Sequence, residues 1–222
     1  MRHIRKDKPL LTGILIILTV VTSVSAQSKT TGRTLFFDSD GNPISNNEFV
    51  DIRMANYHIP DRTLMRTLAD GTVEFRLQKV PQEGAVAPVI EGPSLEGETL
   101  SAAGLKGKVI VLNFWFIGCP SCSYEMPKLN AVAAKFSEHS DVVFIAVAPD
   151  PARAVKKYLS ANEFSYRMIA DGKPLLKTFG FGGYPKNIVI DKRGRIVYWR
   201  STIRAWDKFE SVIRTELNKP AE

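Results

Sequence analysis

Apolar residues in the second half of the chain fall into runs of two kinds. Residues 109–116, Val-Ile-Val-Leu-Asn-Phe-Trp-Phe, form a nearly unbroken apolar run of strand length, and residues 142–148 form a second. Continuous runs of this length read as strands buried on both faces. Between them Met126, Leu129, Val132, Ala133 and Phe136 recur at helical spacing, which predicts an amphipathic helix over 120–137. A helix over 151–162 follows, with Pro151 suited to its first turn, then a short strand at 166–169 and a short helix at 174–179. Residues 187–191 and 195–199 flank Lys192-Arg193-Gly194 as an antiparallel hairpin, and 203–217 closes the chain as a helix. Such alternation predicts an α/β fold, a central mixed sheet with helices on both faces.

Residues 31–80 carry a different pattern. Strand signals at 33–37, 64–69 and 72–77 are punctuated by Asp38-Ser39-Asp40-Gly41-Asn42 and by Asp70-Gly71. Asp-Gly between alternating apolar residues is a hairpin signal. About 50 residues of strand are marginal as an independent fold, so this stretch is expected to pack on the second region or on a partner. The Asp38 turn has a superficial likeness to a calcium loop, but the sixth loop position is Pro43 and the twelfth is Phe49, so it reads as a turn. Residues 79–84 carry linker punctuation. The expected organisation is a β-rich N-terminal segment with linker over 27–84 and a second domain over 85–222, with no internal repeat and no low-complexity segment.

The first 26 residues read as an export signal: Arg2, His3, Arg5, Lys6 and Lys8 precede the apolar stretch 10–21, and Val24-Ser25-Ala26 offers a small-x-small cleavage site. No cysteine lies near it, which argues against a lipoprotein. Residues 9–28 carry no charge and about 20 residues can span a bilayer, so the alternative to cleavage is an N-terminal membrane anchor. Either way the body of the protein is expected to be periplasmic or otherwise extracytoplasmic, where dithiols tend to be oxidised. The whole chain has 30 Lys and Arg against 23 Asp and Glu, a net charge of +7; residues 1–26 hold four of the basic residues and one acidic, leaving 26 against 22 and +4. No basic run interleaved with aromatics appears, so nucleic acid is not an expected partner.

Cys119 and Cys122, the only cysteines, are written Cys119-Pro120-Ser121-Cys122 and stand between the 109–116 strand and the 120–137 helix. A strand that delivers a Cys-x-x-Cys to a helix N-terminus suits dithiol chemistry, because unpaired backbone N–H groups and the helix dipole stabilise a thiolate on the first sulfur. Cys119 then reads as the nucleophile and Cys122 as the sulfur that resolves the mixed disulfide. The alternative is a structural bridge, but closing so short a loop removes little unfolded-state entropy. Glu125 lies one helical turn beyond Cys122, where a carboxyl raises thiol pKa values and can carry a proton; its alternative is a solvated surface glutamate. Pro127 lacks the N–H that would bond back to Ser123 and is expected to kink the helix.

Several motifs in order carry a family resemblance. They are Gly104-Leu105-Lys106-Gly107-Lys108-Val109, Asn113-Phe114-Trp115, Cys119-Pro120-Ser121-Cys122, Glu125 with Pro127, and Gly183-Tyr184-Pro185 before the strand at 187–191. With these, residues 85–219 resemble the TlpA/ResA-like family of exported thiol–disulfide oxidoreductases, which have the thioredoxin fold. The resemblance implies a redox-active dithiol without a cofactor, client proteins with disulfides or thiols, apo-cytochromes among them, and a membrane electron donor. It also implies a cis peptide before Pro185 facing the dithiol, with the backbone of Tyr184 turned outward to a client strand; the alternative is a trans turn after Gly182-Gly183. Trp115 is expected beside the dithiol as part of the client site, or else as a core residue. Asn113 stands where thioredoxins proper have a buried aspartate, which leaves Glu125 as the titratable candidate. Two departures bear on the client surface: Gly118 replaces a tryptophan before the first cysteine, and Tyr184 replaces a smaller residue before the proline.

Two rivals share the fold. A peroxiredoxin-type thiol peroxidase needs a threonine three residues before its cysteine, and Phe116 occupies that position. A copper chaperone needs a histidine beside the two sulfurs. His3 belongs to the leader, His58 to the N-terminal segment, and His139 to the far end of the first helix, so no metal is expected.

Overall fold

A computed structural model of the chain describes residues 32–221; the leader or anchor expected at the N-terminus lies outside them. The N-terminal part comprises β1 (Thr34–Phe37), β2 (Pro43–Ile44), α1 (Asn46–Arg53), β3 (Leu64–Thr67) and β4 (Val73–Arg76). A two-stranded pair, β5 (Gly92–Pro93) and β6 (Thr99–Leu100), and the short α2 (Ala102–Leu105) lead into the larger sheet. There follow β7 (Val109–Phe114), α3 (Pro120–Ala134), β8 (Val142–Val147), α4 (Ala152–Leu159), β9 (Arg167–Ile169), α5 (Lys173–Phe179), β10 (Lys186–Ile190), β11 (Ile196–Arg200) and α6 (Trp206–Leu217).

The larger sheet runs β11-β10-β7-β8-β9, with β7, β8 and β9 parallel and β10 antiparallel to both of its neighbours, β7 and β11. All six residues of β7 are buried, because successive side chains point to opposite faces and both faces are covered. Val109 and Val111 enter one apolar cluster with Met126, Leu129 and Val132 of α3 and with Phe209 and Ile213 of α6. Ile110, Leu112 and Phe114 enter the other, with Phe179 of α5 and Leu105 of α2. Full burial of each such side chain stabilises by roughly 1.5–3 kcal/mol. This is the mixed sheet between helices that the alternation predicts.

The N-terminal part adds a four-stranded sheet in the order β2-β1-β4-β3, in which β1 and β4 are parallel. Phe36, Phe49 and Phe75 pack against one another and seat α1 on this sheet. Helix α1 corrects the reading of this segment as strand and turn. Only Phe49 and Asp51 are buried along it, too few apolar positions to give a helical period; Ser45 caps it through the Glu48 N–H at 3.1 Å. The Asp38 loop is a turn closed by its own carboxylate, which accepts the N–H groups of Asp40 and Asn42.

Smaller differences arise at element ends. β7 stops at Phe114, two residues before the apolar run does; Trp115 still donates its N–H to the Val147 carbonyl at 3.1 Å, and the turn toward the cysteines follows at 117–118. Pro151 is the N-cap of α4 rather than its first residue, and α6 begins at Trp206 rather than 203.

The two parts share buried groups. Ala55 and Val80 enter the apolar cluster that covers Ile110, Leu112 and Phe114. The Asp51 carboxylate accepts the Arg204 and Ala205 N–H groups at 2.8 Å, and Trp199 donates its indole N–H to Asn56 at 3.1 Å.

Candidate active site

Beyond β7 the chain turns so that Cys119 becomes the N-cap of α3. Gly118 makes the turn with φ of 89°, a left-handed conformation that favours glycine, so the backbone itself accounts for the departure at this position. The Ile117 N–H donates to Asp150 at 3.0 Å and the Cys119 N–H to the Phe116 carbonyl at 3.2 Å, which fix the approach. Cys119 and Cys122 are joined in a disulfide, with Cα atoms 5.3 Å apart. The Cys119 sulfur accepts the Cys122 N–H at 3.2 Å, and Pro120 at the first helical position has no N–H to leave unpaired. Cys119 therefore lies where helix N–H groups and the dipole favour negative charge. Both cysteines are buried, at 3% and 4% exposure, so in the oxidised state burial does not distinguish them; they differ in that Cys119 is the N-cap and Cys122 lies inside the first turn.

Glu125 is buried rather than solvated. Its carboxylate accepts the Ile203 N–H at 2.7 Å and the Asn187 side-chain amide at 3.1 Å. Burial pushes its pKa up to about 7, against the pull of those two hydrogen bonds. Asn187 also donates to the Ser201 carbonyl and accepts from Asn113, its cross-strand partner in β7. A chain of polar groups thus runs from Asn113 through Asn187 to Glu125 between the sheet and α3. Pro127 lies inside α3 as expected from its position.

The Tyr184–Pro185 peptide bond is cis. The pairing of Lys186 with Phe114 puts the loop before β10 beside the end of β7, from which the chain runs to Cys119. Tyr184 is partly exposed and packs edge-on against Phe116, with ring centroids 5.0 Å apart, and against Phe181 at 5.6 Å. Burial and the Asp150 carboxylate hold its hydroxyl above the usual phenol range. Trp115 shares an apolar cluster with both cysteines but is only 1% exposed, with its indole N–H on Met168 and its ring against Tyr158. It backs the dithiol and offers no surface to a client.

Sequence reasoning passes over Asn187, Asp150 and Lys186. Asn187 has a signal, a polar residue opening an otherwise apolar buried strand. Lys186 has none: it reads as a surface lysine, yet it is 1% exposed and donates to Ala55 O at 2.6 Å and to Ser201 Oγ at 3.1 Å. Burial lowers its pKa to about 7, while the faces of Trp199 and Phe181 favour the charged form. His58, assigned to the N-terminal segment, lies against Gly182 in the loop that carries Pro185. Among the described residues no group of three or more His, Cys, Asp or Glu side chains could hold a metal ion.

Comparison with known proteins agrees with this geometry. A profile of the AhpC/TSA family matches residues 84–199. The thiol-disulfide oxidoreductase ResA of Bacillus cereus is 32% identical over 144 residues, spanning 61% of this chain and 83% of that protein. The crystal structure of a thioredoxin-family thiol:disulfide interchange protein from Chlorobium tepidum superimposes with a TM-score of 0.54 at 25% identity, over 63% of this chain and all of that one. A thiol:disulfide interchange protein from a Bacteroides species gives 0.53 at 27% identity, over 62% and 91%. The chain thus belongs to the AhpC/TSA family and is a thiol–disulfide oxidoreductase with the thioredoxin fold.

Proposed function

We propose that this protein reduces disulfides of exported proteins or apo-cytochromes outside the cytoplasm, with Cys119 attacking and Cys122 resolving. The observation that carries the assignment is the Cys119 sulfur at the N-cap of α3, on the Cys122 N–H. In the reduced protein the Cys119 thiolate attacks one sulfur of a client disulfide, forming a mixed disulfide and releasing the other client sulfur as a thiolate. Cys122 then loses its proton to Glu125 and attacks the Cys119 sulfur. The Cys119–Cys122 disulfide forms, and the client leaves with both sulfurs reduced. A carboxyl that titrates near 7 can accept and return that proton at neutral pH.

Tyr184, partly exposed and followed by the buried cis Pro185 that sets its backbone, meets the client, and Trp115 supports the dithiol from behind. A membrane-bound dithiol donor returns two electrons to the Cys119–Cys122 pair. The leader-like residues 1–26 support export, with either cleavage or retention as an anchor. Phe116, whose ring packs on Tyr184, supplies no hydroxyl where a peroxide-reducing site needs one.

The test is trapping. Cys122→Ser should accumulate a mixed disulfide with a synthetic peptide bearing a Cys-x-x-Cys-His disulfide, and Cys119→Ser should not. Equal trapping by the two variants would overturn the assignment of the sulfurs.

A further inference from the structure

The loop that carries Pro185 is covered by a turn from the other end of the sequence. Tyr57 donates its hydroxyl to the Gly182 carbonyl. The His58 ring lies so close to Gly182 that a Cβ there would come within 2.7 Å of Nδ1, and a Cβ on Gly183 would come within 2.9 Å of the Tyr57 ring. The Gly182-Gly183 pair is therefore not needed for φ; it makes room for two rings of the N-terminal part. The turn is anchored beneath by Lys186, which donates to Ala55 O at 2.6 Å, and by Trp199, which donates to Asn56 at 3.1 Å.

That anchoring does not need the Tyr57 ring, which remains 54% exposed. A row of aromatic side chains starts at the dithiol, and the Tyr57 ring meets the loop that carries Phe181 and Tyr184 through the backbone of Gly182 and Gly183 rather than ring on ring. Phe116, whose carbonyl accepts the Cys119 N–H, packs on Tyr184; Tyr184 packs on Phe181; and the Tyr57 ring adjoins Gly183, next to Tyr184 in the chain. An extended peptide with its cysteine at Cys119 and its backbone along Tyr184 would run toward these rings. Aromatic and aliphatic side chains gain most from such a surface.

We propose that Tyr57 is a specificity-determining residue, the outer wall of the client-binding face, and that it selects clients with an aromatic or aliphatic residue beside the reacting cysteine. This rests on the client-reducing function proposed above. The N-terminal part is then a portion of the active site rather than an appendage to the redox domain.

The experiment uses the full chain, reduced beforehand, and two synthetic peptides with the same Cys-x-x-Cys-His disulfide, one with leucine and one with serine before the first cysteine. The wild type should favour the leucine peptide at least fivefold in kcat/KM, chiefly through KM. Tyr57→Ala should bring that preference below twofold, and Tyr57→Phe, which keeps the ring, should retain it. A preference unchanged in Tyr57→Ala, equal slowing of both peptides, or no preference in the wild type would overturn the proposal. Should Tyr57→Ala fail to fold, the mixed disulfide of Cys122→Ser with the leucine peptide decides: amide NMR shifts at residues 56–59 support the proposal, and their absence refutes it. A wild type that reduces neither peptide defeats the client-reducing function and this inference together, whereas reduction of both without discrimination defeats this inference alone.

Discussion

Glu125 is held inside the protein by two hydrogen bonds and, among the described residues, without an ion pair. Its folded pKa of about 7 lies above the ordinary 4.5, so the stability it lends is fully present below pH 4.5 and is lost as pH rises through 7. The interval corresponds to roughly 3 kcal/mol. Glu125→Gln should remove that slope: in urea unfolding at pH 5 and pH 8, the wild type should lose about 2.5 kcal/mol more than the variant, the rest of the effect falling below pH 5. Equal losses would place the carboxyl in water instead. The variant should also exchange thiols more slowly at neutral pH, because the proton carrier is gone. Lys186 acts in a separate window. With its pKa lowered from 10.5 to about 7, the stability it lends is present above 10.5 and lost as pH falls through 7. At this scale the sequence discloses what is written in a motif. Cys119, Cys122 and Pro185 stand out by spacing, and Glu125 by its distance along a helix. The burial of Lys186 depends on Ala55, a residue 131 positions away, and no local pattern encodes it.

Helix α6 shows what local sequence leaves out at the scale of an element. Its N-cap, Ala205, has no side chain able to cap, so the sequence marks no start and the predicted helix begins three residues early. The cap comes from α1, where the Asp51 carboxylate accepts both the Arg204 and Ala205 N–H groups. The other end is held by Lys192, which donates to the carbonyls of Leu217 and Lys219, a cation where the dipole favours one. Asp51→Ala should therefore cost between about 1 and 3 kcal/mol, more than an ordinary surface cap, because it leaves two N–H groups without an acceptor. Asp51→Asn keeps an oxygen there and should recover most of the loss. Urea unfolding of the two variants checks this, and a change below about 0.5 kcal/mol in Asp51→Ala would mean that the cap contributes nothing. Strands β7 and β8 lie at the opposite extreme, since a continuous apolar run needs no distant partner to be recognised as a buried strand. Helix α1 is illegible for the same reason that α6 is blurred: its buried polar residue, Asp51, is explained only by the helix it caps.

On the scale of the whole molecule, the described residues form one compact unit. Removing residues 32–83 would take Ala55 from Lys186, which keeps only Ser201, and would strip the Trp199 indole of its acceptor, α6 of its cap and Arg200 of Glu83. These losses together come to several kcal/mol, so the shortened chain should melt at least about 10 °C lower or fail to fold. Thermal melts of the two proteins test this, and equal midpoints would make the N-terminal part a passenger. The contacts at stake have a further consequence, set by where they lie along the chain. The bonds from Asp51, Ala55, Asn56 and Tyr57 reach partners between 125 and 154 residues later. At about 5–20 residues per second, the ribosome needs roughly 10–30 s to bring the last of those partners out after the first part has emerged. The segment made first therefore waits for its partners and docks late, so a long stretch of the chain stays unlatched until synthesis is nearly complete.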